Sequence, residues 1–80
     1  MNTMLSQFIK QRRQQAGLTQ EDLAYKAGVG LRFVRDLEQG KPSLRLDKVN
    51  QVLGMFNHQV GPVPLPPAII KPDSNDEPKR

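Results

Sequence analysis

Cysteine is missing from all 80 residues, which removes both a disulfide framework and a thiolate metal site and suits a reducing compartment. Histidine is almost missing: His58 is alone, so no histidine cluster can hold a metal. No run approaches the roughly 18 apolar residues of a membrane span. The opening MNTMLSQFIKQRR carries charges where a signal peptide needs an unbroken apolar stretch, and the expectation is a cytoplasmic protein. A phosphate-cradling glycine loop is absent too, because Gly28-Val29-Gly30 lacks its spacing and reads as a turn. With a lone histidine and carboxylates scattered over helix surfaces, no set of side chains shares acid, base and nucleophile roles. No enzyme, cofactor or metal is expected.

Acidic charge is scarce where the chain folds. Residues 1–57 hold nine Lys/Arg against five Asp/Glu, the whole of the +4 surplus, while residues 58–80 hold three of each. A basic domain points to a polyanion, although a surplus of this size is also common on solvated surfaces. A domain of roughly 60 ordered residues buries only about 60% of its unfolded surface, so a partner subunit would help.

The apolar periodicity predicts helices. Met4, Leu5, Phe8 and Ile9 form one stripe of a helix over about Thr3 to Gln15, and Gly17 supplies a left-handed stop. Leu18 stands ready as a hydrophobic staple against Leu23. Thr19 is the natural N-cap of helix two, with Asp22 three residues on to complete the box, though its side chain is shorter than the preferred Glu. Leu23, Ala24 and Ala27 give that helix a small inner face, and Gly28 ends it. Gly30 caps helix three without a side chain. There Val34 and Leu37 point inward, Arg32, Arg35 and Asp36 outward, and Phe33 either packs or faces outward. Gly40, Lys41 and Pro42 make a loop. Helix four starts near Ser43 or Leu44 and sets Leu46, Val49, Val52, Leu53 and Phe56 inward.

At this point LTQEDLAYKAGVG followed by LRFVRDLEQGKPSL resembles the helix-turn-helix domain of the Xre/Cro family of phage and bacterial repressors, over about residues 5–56. The resemblance implies an all-α fold, a compact four-helix lambda-repressor-like domain over residues 1–57, whose third helix lies in a DNA major groove. It implies Leu31, Arg32 and Arg35 as base-facing residues. An arginine fork matches O6 and N7 of guanine, against the plainer reading of a solvated helix face. Leu31 either touches a thymine methyl or staples its own helix. Thr19 and Gln20 match family positions that bind phosphate, a role compatible with capping. Lys41 in its loop is a further phosphate candidate, ahead of Arg45, Lys10 and Arg12. Arg13 and Glu38 fall where the family often ties helix one to helix three by an ion pair.

After Asn57 the pattern changes. The family's common fifth helix is missing. Residues 58–64 suggest a short extended segment, with His58, Gln59 and Val60 pairing with a symmetry mate as a dimerisation strand, as in HipB-like antitoxins. Residues 65–80 read as a disordered proline-rich tail. GLRFVRDLEQGKPSLRLDKVNQVL is also similar to that antitoxin subgroup, which implies an autoregulating repressor of a toxin–antitoxin operon with a HipA-type kinase toxin as partner. Two copies would read half-sites about 34 Å apart on a pseudo-palindrome. The competing reading is a protein-interaction module in which PLPPAIIK, Pro64 to Lys71, is the ligand for a partner and DNA binding is secondary.

Overall fold

The computed structural model describes residues 3–65 and contains four helices: α1 (Met4–Gln15), α2 (Gln20–Ala27), α3 (Leu31–Glu38) and α4 (Leu46–Gly54). There is no strand among the described residues. Of the tail expected over residues 65–80, all but Leu65 lies outside them, and with it most of PLPPAIIK.

The four helices stop in the same way. Gly17, Gly28, Gly40 and Asn57 have φ of 72°, 75°, 77° and 61°, the left-handed region that glycine enters freely and asparagine tolerates. The amide that follows each reaches back five residues: Leu18 N–H to Arg13 O, Val29 N–H to Ala24 O, Lys41 N–H to Asp36 O and His58 N–H to Leu53 O, at 3.0–3.1 Å. Carbonyls orphaned at the helix end are thereby satisfied and the chain is thrown sharply aside. This is what lets helices of eight or nine residues fold back on one another.

The starts differ. Thr3 and Ser6 form a complete capping box on α1, and Thr19 and Asp22 form one on α2 despite the short aspartate. Gly30 and Arg45 precede α3 and α4 without a side-chain cap. The α4 start is also later than expected, because residues 43–45 run as loop after Pro42.

The core joins Ile9 of α1, Leu23 and Ala24 of α2, Val34 and Leu37 of α3, and Val49, Val52 and Leu53 of α4, closed by Phe56. Burying each large aliphatic side chain contributes about 1.5–3 kcal/mol. α3 packs against both α1 and α2, and α2 also meets α4, so α3's inner face is fixed from two sides while its outer face stays free. Two expected core residues are corrected. Met4 is 85% and Leu46 60% exposed. Each is the first residue of its helix and overhangs the packed layer although its periodicity is right.

Candidate nucleic-acid interface

The turn between α2 and α3 spans only Gly28 to Gly30. Its geometry is held from outside as well as within, because Gln51 on α4 directs Nε2 at Ala27 O (3.2 Å) and Gly28 O (3.4 Å). Nothing in the sequence pattern singled out Gln51.

Beyond the turn, Arg32 and Arg35 sit three residues apart on one side of α3, both exposed. Neither has an ion-pair or hydrogen-bond partner among the described residues. Leu31 and Phe33 are half-buried and packed against the core, so packing accounts for much of both side chains. With no side chain capping Gly30 and no acid in the first turn of α3, the positive end of that helix is open to an anion.

At the start of α2, Thr19 Oγ1 accepts from the Asp22 amide and Asp22 Oδ2 from the Thr19 amide, each at 3.0 Å. The Thr19 backbone N–H, then its hydroxyl, holds the Asp22 carboxyl below its ordinary 3.8. A depressed folded value means this contact stabilises above the unfolded value and is lost as pH falls through the folded one. Separately, Thr19→Ala removes the hydroxyl that caps α2 and is expected to cost about 1 kcal/mol of stability. Thermal melts taken as pH drops below 3.8 should decline less steeply in Asp22→Asn than in wild type. An unchanged acid slope would remove the cap from the account.

Gln20 is tied into the interior. Its Nε2 donates to Glu38 Oε1 at 3.1 Å, which leaves it a second amide hydrogen, while of the first-turn amides that of Asp22 is taken by Thr19. Glu38 is the hub: Arg13 Nε meets Oε2 at 2.7 Å and Nη2 meets Oε1 at 3.2 Å, while Arg13 Nη1 donates to Leu18 O at 2.8 Å. One carboxylate thus joins α1, α2 and α3.

The other phosphate candidates are less free than their loops suggested. Lys41 Nζ lies 3.5 Å from Asp36 Oδ2. Arg45 grips Asp47 through Nε (3.2 Å) and Nη2 (2.7 Å), and the same pair lowers the Asp47 carboxyl. Arg12 places its guanidinium 5.4 Å from the Phe8 ring centroid and 5.8 Å from that of Phe56, a cation–π seat. Lys10 is exposed.

His58, Gln59 and Val60 form no strand in the single chain. Instead the His58 ring lies against that of Phe8, centroids 4.7 Å apart and planes tilted by 55°, with Nδ1 2.6 Å from Phe56 O, and the Val60 amide donates to Asn50 Oδ1 at 2.9 Å. Among the described residues no group of three or more His, Asp or Glu could hold a metal ion, and no helix is long and apolar enough to cross a membrane.

Two short helices at a clamped turn, the second presenting unpaired arginines, define a helix-turn-helix unit. Residues 9–57 match the helix-turn-helix family, well over half of the chain, and the chain belongs to that family in its Xre type. It is similar to the uncharacterized HTH-type transcriptional regulator y4mF of Sinorhizobium fredii, 56% identical over 41 residues, or 51% of this chain and 54% of the relative. The match thus spans about half the length of that curated relative.

Proposed function

We propose that the domain is a sequence-specific DNA-binding transcription regulator, a repressor that lays α3 in the major groove. One observation carries this reading. Of the five described arginines, Arg13 and Arg45 are spent on carboxylates and Arg12 on two rings. Arg32 and Arg35 alone stand unpaired, on the outer face of the helix that follows the clamped turn. Leu31 flanks them. Thr19, Gln20 and the Gln20 and Glu21 amides of α2 are assigned to phosphate, with Lys41 and Arg45, exposed but paired with Asp36 and Asp47, as further candidates. Such contacts fix register and supply affinity, and the arginines supply discrimination.

Two copies related by a dyad present their α3 helices to half-sites about 34 Å apart. Occupancy of an operator overlapping a promoter then blocks polymerase. A gel-shift titration against duplexes from upstream of the gene, with scrambled competitor, tests this: expected is preferential binding to one pseudo-palindrome. Equal affinity for all duplexes would sink the proposal.

The likeness to HipB-like antitoxins extends it to an autoregulating toxin–antitoxin operon with a HipA-type kinase toxin. Co-expression with a kinase gene of the same transcript should yield a stable complex. Failure to co-purify removes the antitoxin role and leaves the DNA reading intact.

A further inference from the structure

The end of α2 leaves carbonyls that no amide of its own helix reaches. The residues that follow satisfy two of them: Val29 N–H donates to Ala24 O at 3.0 Å and Gly28 N–H to Tyr25 O at 3.3 Å. Ala27 O and Gly28 O, at the mouth of the turn, take their donor from α4, where Gln51 Nε2 lies 3.2 and 3.4 Å away. We infer that Gln51 is a positioning residue for the reading helix: from α4 it fixes the α2–α3 turn, and with it the angle at which Arg32 and Arg35 are presented.

The turn itself leaves that task open. Gly28 stands at φ 75°, next to a Gly30 that caps α3 without a side-chain bond. The α3 ladder begins only with Val34 N–H on Gly30 O at 3.2 Å. Between the two glycines Val29 is half-buried against the core, and a chain with glycine on both sides of one anchor can pivot about it. A side-chain amide bridging the first two carbonyls of the turn removes that freedom.

The clamp has a firm base. Val52 and Leu53, next along α4, are buried, and α4 packs on α2, so the Gln51 side chain starts from a fixed backbone. Its amide lies over the bare face of Gly28, where a Cβ would stand 3.6 Å from Nε2. Both partners are carbonyls and only accept, so the nitrogen end of the amide must face them and a donor is required. Two-pronged contact with a guanine edge tolerates little rotation of the helix that carries it. A looser turn therefore lowers preference for the operator while charge-driven binding to any duplex survives.

The inference rests on the reading of α3 as the base-facing helix, and one arm of its test uses no DNA. Gln51→Met keeps the length and loses the donor; Gln51→Glu keeps the shape and offers only acceptors. In both, the ratio of operator affinity to unrelated-duplex affinity should fall by about two- to tenfold, the worth of bonds of this kind. Gln51→Lys restores a donor beside a helix C-terminus and should keep the ratio. The ratio is the readout because the added or removed charge alters affinity for every duplex alike. Without DNA, hydrogen exchange at the Val29 amide should quicken by a similar factor in Gln51→Met and stay unchanged at Val52.

A Gln51→Met protein with the wild-type ratio overturns the inference and leaves the DNA reading standing. A Gln51→Lys protein as poor as Gln51→Met overturns it too, since the donor would then not be what matters. Exchange that quickens at Val29 and Val52 alike does the same, by showing that Gln51 serves general stability alone. A wild type without duplex preference removes the DNA reading instead, and selective quickening at Val29 would then still uphold the clamp on the turn.

Discussion

Glu38→Ala is expected to cost about 3–5 kcal/mol, enough to leave much of the protein unfolded at room temperature, since a domain of this size is worth roughly 0.05–0.15 kcal/mol per residue. The carboxylate itself is not the main source of that loss. Side-chain exposure is 13% for Arg13 and 4% for Glu38, so removing the carboxylate strands a guanidinium that water reaches poorly. Arg13 would keep only the Leu18 carbonyl, and Gln20 would lose its acceptor. Replacing both ions by apolar residues of similar volume, Arg13→Met with Glu38→Leu, should recover most of the stability, because the desolvation of two charges disappears with their attraction. Urea denaturation followed by circular dichroism measures both variants. A Glu38→Ala protein within about 1 kcal/mol of wild type would mean that Arg13 finds water on turning outward, and that the three helices are held by apolar packing alone.

That buried pair was legible only through the family resemblance, because the 25 residues between its members hide the contact from any local pattern. The helices were legible from periodicity, two of the four stops from glycine and a third from the loop of Gly40, Lys41 and Pro42. Asn57 escaped notice because a left-handed asparagine has no signature beyond its identity, yet its φ of 61° turns the chain back so that His58 meets Phe8. Periodicity also placed Met4 and Leu46 inward, since it reports which face a residue takes and not whether a neighbour extends far enough to cover it. Lys41 and Arg45 looked free as loop cations, but the carboxylates they hold lie five and two residues away, a match that charge counting overlooks. The unpaired state of Arg32 and Arg35 required the positions of every acid in the fold.

Arg32→Ala and Arg35→Ala are each expected to lower discrimination between operator and unrelated duplex by about 1–3 kcal/mol, roughly a fivefold to more than a hundredfold loss in preference. Together they should erase most specificity while leaving stability near wild type, because both side chains are exposed and hold no partner among the described residues. Affinity for unrelated DNA and its salt dependence separate two roles for these arginines. If they read bases, removing them lowers operator affinity far more than non-specific affinity, and the salt slope changes little. If they only neutralise phosphate, both affinities fall together and the slope flattens by about one per charge removed. Arg32→Lys and Arg35→Lys sharpen the comparison, since lysine keeps the charge but loses the two-pronged fork. Under base reading the lysine variants should retain non-specific binding and still lose the operator. Lysine variants that keep full operator preference would assign Arg32 and Arg35 to the backbone and leave the discrimination to Leu31 and the shape of the duplex.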